Sequence, residues 1–315
     1  MAKGTYHLNG KRIWVAGHGG MVGQALIRRL AAETPREVLT ASRAQLDLTN
    51  QAAVNGWMAA HKPDCIFLAA AKVGGILANQ NAPADFLYDN LAIAQNIIHA
   101  AHTHNTEKLL FLGSSCIYPK HAAQPIREEA LLSGALEPTN EAYALAKIAG
   151  LKLCAAYQRQ YGDNFISAMP TNLYGPGDSY NALNSHVIPA LIMKAHDAKT
   201  SGAKSMEIWG SGKAYREFLH VDDCADGLIH LMTHYAGESP VNLGTGEDMS
   251  IKDTAKAVMA AAGFSGTLTY DLSKPDGTPR KRLDTRVMQS LGWVPKIKFQ
   301  DGLKSAYADY LQRLS

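Results

Sequence analysis

The sequence is poor in cysteine, with only 4 cysteines in 315 residues, and their spacing excludes several kinds of site. Cys65, Cys116, Cys154 and Cys224 form no C-x-x-C pair, which disfavours a zinc site and a thioredoxin-like redox centre. Their wide separation is also unlike the framework of a small disulfide-rich secreted domain. The sequence therefore predicts free thiols in a reducing, cytoplasmic setting.

An excess of charge of one sign and long apolar runs are lacking too. The formal net charge is +3 and no Lys/Arg block is present, so we expect no nucleic acid as a partner. No long apolar run precedes Ile13, which predicts neither a signal peptide nor a membrane segment. Hydrophobic residues make up 46% of the chain, enough for one large α/β unit or two closely joined domains.

Short apolar runs alternate with amphipathic stretches in the first half of the chain. This pattern predicts strands at 12–16, 37–40, 65–69 and 109–112, and helices at 22–32, 52–61 and 84–104. Such alternation is typical of βαβ crossovers around a parallel sheet. We therefore predict an α/β fold with a Rossmann-type doubly wound parallel sheet.

The second half of the chain differs in composition. From residue 174 onward Gly, Pro, Asn and Ser become frequent, and helices are predicted at 187–199, 222–234 and 251–262. We expect a smaller, partly interleaved domain here. The predicted division is a dinucleotide-binding domain at 1–173, with a returning segment near 217–245, and a mainly substrate-binding domain at 174–315.

A glycine-rich stretch follows the first predicted strand. The run reads Gly17, His18, Gly19, Gly20, Met21, Val22 and Gly23. Glycines in G-x-x-G-x-x-G spacing let backbone N–H groups approach a pyrophosphate, and the following helix N-terminus favours negative charge. The alternative is a turn without a ligand, where three glycines would lower local stability without a use. The position between a strand and a helix favours a dinucleotide site.

The residues after the second predicted strand indicate which dinucleotide binds. NAD sites usually place an Asp or Glu there to hold the ribose 2′-hydroxyl, but the first carboxylate here is Asp47. Arg43 can pair with a 2′-phosphate and Ser42 can donate to it, although an arginine there is also an ordinary surface residue. The sequence predicts NADP(H), with Asp47 near the adenine end or in a turn.

Ser114 follows the fourth predicted strand, and Tyr143 and Lys147 stand four residues apart on a later predicted helix. Positions i and i+4 share one helix face, so these two side chains project together. A nearby ammonium favours the phenolate, which predicts a Tyr143 pKa lowered toward neutrality. Tyr143 then becomes a proton donor to a carbonyl under reduction, and Ser114 can bond the same oxygen. Tyr118 is less suited, because no lysine lies four residues after it.

These features resemble the extended short-chain dehydrogenase/reductase family, and longer segments narrow the resemblance to its GDP-L-fucose synthase members. The segments are 69–76, 112–119, 137–140, 170–176, 184–189 and 273–281. Ser-Ser-Cys-Ile-Tyr-Pro at 114–119 and Asn-Ser-His-Val-Ile-Pro at 184–189 are the most specific. The resemblance covers nearly the whole chain. It implies 3,5-epimerisation and NADPH-dependent 4-reduction of a GDP-4-keto-6-deoxy sugar, and a homodimer.

The resemblance also implies roles for individual residues. It implies Ser114, Tyr143 and Lys147 for reduction, and Cys116 with His186 as the acid/base pair of epimerisation. The residues implied at the cofactor are Gly17, His18, Gly19, Gly20, Met21, Val22, Gly23, Ser42, Arg43, Ala70, Leu112, Gly113, Ser115, Lys147, Pro170, Thr171, Asn172, Leu173 and His186. Those implied at the nucleotide sugar are Lys194, Trp209, Arg216 and Asp276.

Three positions depart from the family pattern. Gly19 and Ala41 stand where arginines can occur near the 2′-phosphate, and Lys194 stands where an arginine is usual for the diphosphate. Lysine keeps the charge but not the bidentate fork. The chemistry nevertheless suits Cys116 and His186, because a 4-keto group acidifies C3 and C5 and inversion needs an acid and a base on opposite faces. Without the resemblance, Cys116 would be interpreted as a buried apolar residue and His186 as a helix-start residue.

Other interpretations stay open at this point. One is a related reductase or epimerase/reductase acting on another GDP-4-keto sugar, such as a 3,6-dideoxy or heptose form. A 4,6-dehydratase is disfavoured, because Ser115 and Cys116 stand where that chemistry wants an acidic residue. A non-catalytic, NADP-binding regulatory protein is disfavoured by the intact serine, tyrosine and lysine. His102 and His104 lack further ligands, so no metal is predicted, and Asp222-Asp223 is typical of a helix start.

Overall fold

The computed structural model describes residues 5–181, 185–274 and 276–314. The strands are β1 (Arg12–Ala16), β2 (Glu37–Leu39), β3 (Cys65–Leu68), β4 (Lys108–Leu112), β5 (Phe165–Pro170), β6 (Asn172–Tyr174), β7 (Ser205–Trp209), β8 (Tyr215–His220), β9 (Val241–Leu243), β10 (Asp248–Ser250), β11 (Thr267–Asp271) and β12 (Arg280–Lys281). The α-helices are α1 (Met21–Leu30), α2 (Gln51–His61), α3 (Ile76–Asn81), α4 (Pro83–Thr103), α5 (Glu141–Tyr161), α6 (Val187–Thr200), α7 (Val221–His234), α8 (Ile251–Ala262), α9 (Arg286–Ser290) and α10 (Phe299–Leu314). Within the described chain, no helix has both the length and the apolarity to cross a bilayer.

Six strands form one parallel sheet in the order β2-β1-β3-β4-β5-β9. The predicted Rossmann-type doubly wound sheet is confirmed, and β1 and α8 begin and end at the predicted residues. The chain order reverses beside β1, whose neighbours are β2 and β3. In such sheets ligands bind outside the carboxyl ends of the strands at this switch point.

Each face of the sheet is covered by helices. Successive residues of a strand point to opposite faces, so neighbouring residues of β1 pack against different helices. Val15 packs in one core cluster with residues of α1 and α7, such as Leu26 and Leu228. Trp14 packs in the other with residues of α4 and α5, such as Ile97 and Leu151. Both faces of the sheet are therefore buried, and the carboxyl ends of its strands are the part that stays open to a ligand.

The later part of the chain builds smaller sheets around β8. This strand pairs with β6 and β12 in parallel and with β10 in antiparallel orientation, while β7 pairs with β11. Helices α6, α8 and α10 supply a third core cluster. The segment at 221–243 returns to the large sheet, since α7 packs on α1 and β9 extends the sheet beside β5. Strand β6 directly follows β5 and pairs with β8, so it joins the two parts of the chain; the region beside this junction is called the cleft.

Candidate active site

The glycine turn after β1 brings the start of α1 against the end of β3. A Cβ on Gly17 would lie 2.5 Å from the backbone nitrogen of Ala70, and its φ of +93° is also one that glycine favours. A Cβ on Gly23 would lie 2.2 Å from the carbonyl oxygen of Gly17. Only glycine fits at these two positions. The turn therefore presents the N-terminus of α1, with its unpaired N–H groups, at the switch point of the sheet.

Two polar groups of the predicted cofactor site form no hydrogen bond or ion pair with the described residues, although Arg43 acts electrostatically on the carboxylate of Asp47. The Nδ1 atom of His18 is buried without a hydrogen bond, and exposed Arg43 forms no ion pair. The Ser42 hydroxyl, in contrast, donates to Oε1 of Gln45 at 2.9 Å. Asp47 accepts from the amide and hydroxyl of Thr49 at 3.0 and 2.8 Å, which confirms the prediction of a turn. Arg43 is thus the available cation beyond β2.

The other residues predicted at the cofactor line the same edge. Ala70 comes shortly after β3, and Leu112 ends β4, with Gly113 and Ser115 in the turn that follows. Pro170 ends β5, Thr171 lies between the two strands, and Asn172 and Leu173 begin β6. The Thr171 amide donates to the carbonyl oxygen of Leu243 at 3.0 Å, and the Asn172 amide side chain donates to that of Glu217 at 2.8 Å. These bonds fix the wall of the cleft to β9 and β8.

Tyr143 and Lys147 lie on the first two turns of α5, facing the end of β4. The Lys147 Nζ donates to the carbonyl oxygen of Leu112 at 2.7 Å and lies 5.9 Å from the centre of the Tyr143 ring. The Lys147 Nζ also lies 4.8 Å from the centre of the aromatic ring of Phe111. The predicted i, i+4 juxtaposition is therefore present, and Lys147 is anchored to the strand that carries Ser114.

The predicted lowering of the Tyr143 pKa, however, is wrong. Burial raises the pKa of Tyr143 above its ordinary value, the neighbouring Cys116 thiol adds to this, and only Ser114 acts in the opposite direction. Burial also lowers the pKa of Lys147 to about 7. For the pKa of Tyr143, the loss of water outweighs the attraction of the Lys147 ammonium, because burial also disfavours the charged form of Lys147. Tyr143 thus keeps its proton, which is the form a proton donor needs.

Lys147→Met is expected to stabilise the cofactor-free protein at neutral and lower pH. The unfolded chain keeps this proton up to a pH near 10.5, whereas the folded chain releases it near 7. Between these values the unfolded state binds more protons, so the contribution of Lys147 to stability rises with pH and is least favourable below 7. The gain should be on the order of 3 kcal/mol, after subtracting the lost bond to Leu112.

Thermal unfolding of both proteins at about pH 6 and about pH 10 measures this effect. The advantage of Lys147→Met should shrink at the higher pH. Lys152→Met, at an exposed position of the same helix, serves as the control and should change little. A stability difference that is the same at both pH values would contradict a buried ammonium at Lys147.

Cys116 lies in a short 3₁₀ turn directly after Ser114. The Ser114 hydroxyl caps this turn by accepting from the Cys116 amide at 3.3 Å. Cys116 is partly exposed, whereas the other cysteines are buried. Its Sγ lies 3.8 Å from Nζ of Lys281 on β12. Tyr118, two residues later, is buried and donates to Asn242 at 2.7 Å, which holds the turn in place.

His186 occupies the position just before α6, where its side chain forms no capping hydrogen bond. His186 is thus a helix-start residue, as the bare sequence favoured, but it satisfies the helix through its backbone carbonyl, which accepts from the Ala190 amide at 3.1 Å, and not through its imidazole. Much of the residue is exposed, yet the protein packed around the imidazole removes water from it and lowers its pKa. Asn184, from the same sequence motif, lies outside the described residues. A neutral imidazole suits proton transfer near neutral pH.

The four residues predicted at the nucleotide sugar gather around the turn after β7. Trp209 is 47% exposed, and the Lys194 Nζ lies 5.3 Å from its ring. The Asp276 carboxylate accepts from the amide and hydroxyl of Ser211, both at 2.7 Å, and its carbonyl accepts from Arg216 at 3.4 Å. Pro275 lies outside the described residues. An exposed indole between cations suits an aromatic base joined to phosphates.

Residues 13–244 match the model of the NAD dependent epimerase/dehydratase family. The chain belongs to this family. It is 55% identical over 310 residues to the GDP-L-fucose synthase of Sinorhizobium fredii, covering 98% of both chains. It is 50% identical over 312 residues to that of Escherichia coli, covering 96% of this chain and 97% of the relative. A GDP-L-fucose synthetase of Naegleria fowleri, solved with NADP, superposes with a TM-score of 0.90 at 27% identity, covering 99% of this chain and 98% of the other. The predicted resemblance to GDP-L-fucose synthases is thus confirmed.

Within this epimerase/dehydratase fold, three residues contact the candidate site or hold its strands although the sequence analysis did not single them out. Lys274 places Nζ 5.3 Å from the Trp209 ring, as Lys194 does, and Lys281 reaches Cys116. Both lie in the 273–281 segment, and the resemblance of that segment to the family was the sequence feature that could have indicated them. Glu217 is fully buried and accepts from the amides of Gly246 and Leu283 at 2.8 and 2.7 Å. A carboxylate directly before the apolar pair Phe218-Leu219 of β8 was the sequence feature that could have indicated it.

His102, Asp222 and Asp223 make structural contacts in this family member. His102 bonds Asp163 at 2.7 Å, and no group of three or more metal-ligating side chains was found among the described residues. Asp222 and Asp223 lie in the first turn of α7, as predicted. Asp223 also accepts from the amide of Ile297 at 2.8 Å. These residues anchor a helix start and do not form a second reactive centre.

Proposed function

We propose that this protein epimerises GDP-4-keto-6-deoxy-D-mannose at C3 and C5 and reduces it at C4 with NADPH, giving GDP-L-fucose. The observation that carries this proposal is the adjacency of two kinds of reactive group. Ser114, beside Tyr143, and Cys116 belong to one turn, with the Cys116 amide donating to Ser114 at 3.3 Å. Reduction and epimerisation concern neighbouring atoms of one sugar ring, so both sets of groups must face one site. The similarity to relatives that are named GDP-L-fucose synthases supports the same proposal.

The cofactor-binding residues fit NADP(H). The cradle formed by Gly17 and Gly23 has no room for side chains, and the α1 N-terminus behind it suits a pyrophosphate. Arg43, free of other ion pairs among the described residues, would hold the 2′-phosphate. When bound, NADPH supplies the hydride for C4. The buried Nδ1 atom of His18, which lacks a partner in the described chain, marks the same turn as incomplete without a ligand.

Reduction relies on protonated Tyr143. Its phenol donates a proton to the C4 oxygen as negative charge develops there, and the Ser114 hydroxyl donates a hydrogen bond to the same oxygen. Lys147 replenishes the proton, since burial brings its pKa to about 7, where it exchanges readily near neutral pH. Its bond to Leu112 keeps it beneath the tyrosine ring.

Epimerisation uses Cys116 and His186. The 4-keto group acidifies the hydrogens on C3 and C5, so removal of one proton yields an enolate that the active site stabilises. One residue removes the proton and the other returns a proton to the opposite face, which inverts the carbon. The lowered pKa of His186 keeps it neutral at pH 7 and able to accept a proton.

The GDP end of the substrate lies at Trp209 in this proposal. The indole stacks on the guanine, and Lys194 and Arg216 neutralise the diphosphate. Lys194 acts there as a point charge without a bidentate fork. Asp276 braces the turn that carries these groups through its two bonds to Ser211. In this division residues 1–173 and 217–245 serve mainly the cofactor, and the rest of 174–315 serves the nucleotide sugar.

A cytoplasmic homodimer completes the proposal. Helices α4 and α5 pack side by side and expose large side chains, with Tyr88 71% and Leu145 44% exposed. Exposed apolar side chains of this size on one helix pair favour a second copy as the partner. The four free thiols suit a reducing compartment. Light scattering of the purified protein gives the oligomeric state, and a monomeric mass at working concentration would exclude the dimer.

Oxidation of NADPH with a panel of GDP-4-keto sugars tests the activity. We expect rapid oxidation with GDP-4-keto-6-deoxy-D-mannose and release of GDP-L-fucose. Greater specificity for a 3,6-dideoxy or heptose form would reassign the substrate. An absence of NADPH oxidation with every sugar, in protein that binds NADPH, would favour the non-catalytic interpretation.

Arg43→Ala is expected to weaken the preference for NADPH over NADH. A contact to the remote 2′-phosphate is made equally in the ground and transition states, so the KM for NADPH should rise, by about tenfold, at unchanged kcat. Steady-state kinetics with both cofactors measure this. Arg36→Ala is the matched control, because Arg36 is also exposed but precedes the first residue of β2, whereas Arg43 follows the last. Equal specificity constants for NADH and NADPH in the wild type would refute the assignment of Arg43.

A further inference from the structure

Lys281 and Cys116 meet beside the candidate acid/base pair although 165 positions separate them. The Lys281 Nζ lies 3.8 Å from the Cys116 Sγ, within hydrogen-bonding reach of a sulfur, and both side chains are partly buried. They share a small cavity with Lys120, Glu137 and Arg280. The ammonium therefore points at the one partly exposed thiol of the chain.

The backbone of Lys281 is fixed on both sides. Strand β12 pairs with β8, with Lys281 in register with Arg216. The amide of Arg282 donates to Oε1 of Gln124 at 2.8 Å, and the amide of Leu283 donates to buried Glu217 at 2.7 Å. These bonds tie the lysine to the segment that follows the Cys116 turn. The contact is thus built into the fold.

The neighbouring lysine of this cavity is engaged differently. Lys120 forms an ion pair with Glu137 at 3.0 Å, whereas no carboxylate of the described residues lies within ion-pair distance of Lys281. Arg280 is held by Asp248. The charged and titratable groups around Cys116 are the cations Lys281, Arg216, Lys120 and Arg280, the carboxylate of Glu137, which Lys120 compensates, and the phenol of Tyr143. The net environment of the sulfur is positive.

We propose that Lys281 is a positioning residue for epimerisation, which holds the Cys116 sulfur and compensates its negative charge. This inference rests on the proposed function. If the thiol gives its proton to the enolate carbon, the S–H bond breaks, a C–H bond forms and a thiolate remains. If the thiolate removes the proton from C3 or C5, the same bonds change in reverse and the enolate carries the charge. In both directions the sulfur is anionic at one end of the step, and the ammonium stabilises that state.

Alkylation by iodoacetamide tests the pair without substrate. The thiolate displaces iodide and forms an S–C bond, so the rate at a fixed pH reports the anionic sulfur. Only Cys116 should react in the folded protein, because Cys65, Cys154 and Cys224 are at most 1% exposed. We expect Lys281→Met to slow alkylation about tenfold and Lys281→Arg to restore most of it. Lys152→Met, which removes an exposed lysine on α5, is the control and should alkylate at the wild-type rate.

Exchange of deuterium into C3 and C5 in heavy water, without NADPH, links the pair to the reaction. Lys281→Met should slow exchange by a similar factor through kcat, with the KM of the sugar nearly unchanged, and Lys281→Arg should recover it. Cofactor binding and thermal unfolding show whether each variant is folded. If Lys281→Met does not fold, Lys281→Arg and Lys281→Gln still compare a charged with a neutral polar side chain at this position.

Two results would overturn the inference. One is alkylation that proceeds equally fast in Lys281→Met and the wild type. The other is an increase in KM alone, since Lys281 would then contact the sugar and not act through Cys116. If wild-type protein shows no exchange with the GDP sugar, the proposed function fails, and the alkylation series still decides whether Lys281 controls the sulfur.

Discussion

Tyr143→Phe is expected to lower the rate of C4 reduction by a factor on the order of one hundred or more. The phenol is the proposed donor to the C4 oxygen, and phenylalanine preserves the ring that lies 5.9 Å from Nζ of Lys147. The packing of α5 against β4 should therefore survive. NADPH consumption with GDP-4-keto-6-deoxy-D-mannose, followed by absorbance, measures the effect.

The loss should fall on the reduction step alone. Cofactor affinity, measured by fluorescence, should be nearly unchanged because the hydroxyl faces the substrate, and exchange at C3 and C5 should continue. Tyr161→Phe, at the exposed end of the same helix, is the control and should consume NADPH at the wild-type rate. A Tyr143→Phe variant as fast as the wild type would exclude this residue as the proton donor.

Cys116→Ala should separate the two chemistries of the site. The thiol lies two residues after Ser114, close to the sugar ring but without need to contact the C4 oxygen, so epimerisation should be suppressed while the reductase groups stay in place. Wild-type protein should introduce deuterium at both C3 and C5 in heavy water without NADPH. The variant should exchange slowly, by roughly a hundredfold if the sulfur is an acid or base of the reaction.

Added NADPH then gives a positive result to look for. A variant that reduces but does not epimerise should release the unepimerised C4-reduced sugar, GDP-rhamnose, in place of GDP-fucose. Mass spectrometry does not distinguish these isomers, so NMR coupling constants at C3 and C5 are the readout. Unchanged exchange in Cys116→Ala would return Cys116 to a purely structural role.

His186→Ala should show the same slow exchange, because each inversion needs an acid and a base on opposite faces. The resemblance also places His186 near the nicotinamide, so reduced NADPH affinity in this variant would not separate its two roles. Exchange measured without cofactor does separate them. Rapid exchange in His186→Ala would assign the second proton to another group of the cleft.

The large sheet was predictable from the sequence because its strands are short, apolar and separated by amphipathic helices. Runs such as Arg12–Ala16 are buried on both faces, and this leaves a continuous apolar signal in the sequence. The glycine turn was predictable for a related reason, since contacts as close as that of Gly17 with Ala70 exclude every side chain. Both are local consequences of steric fit.

The cleft was predictable only in part, since its decisive contacts join distant segments. No spacing rule connects Cys116 with Lys281, or Glu217 with Leu283, because these pairs depend on how β12 lies beside β8. Strands as short as β12 also carry no periodic pattern. The pKa of Tyr143 was mispredicted for a similar reason, because the sequence gives its neighbour on the helix but not the water that burial removes from both.

Oxidants can reach one thiol of this protein much more easily than the other three. Cys65, Cys154 and Cys224 are buried in the core, while Cys116 is partly exposed, with the Lys281 Nζ 3.8 Å from its sulfur. Peroxide would therefore convert the Cys116 thiol to a sulfenic acid first, and a thiol reductant would reverse this. The tyrosine, serine and lysine of the reduction step contain no sulfur. Under oxidative stress the protein would thus lose stereochemical control before it loses hydride transfer, and the sugar it releases would report the redox state of its surroundings.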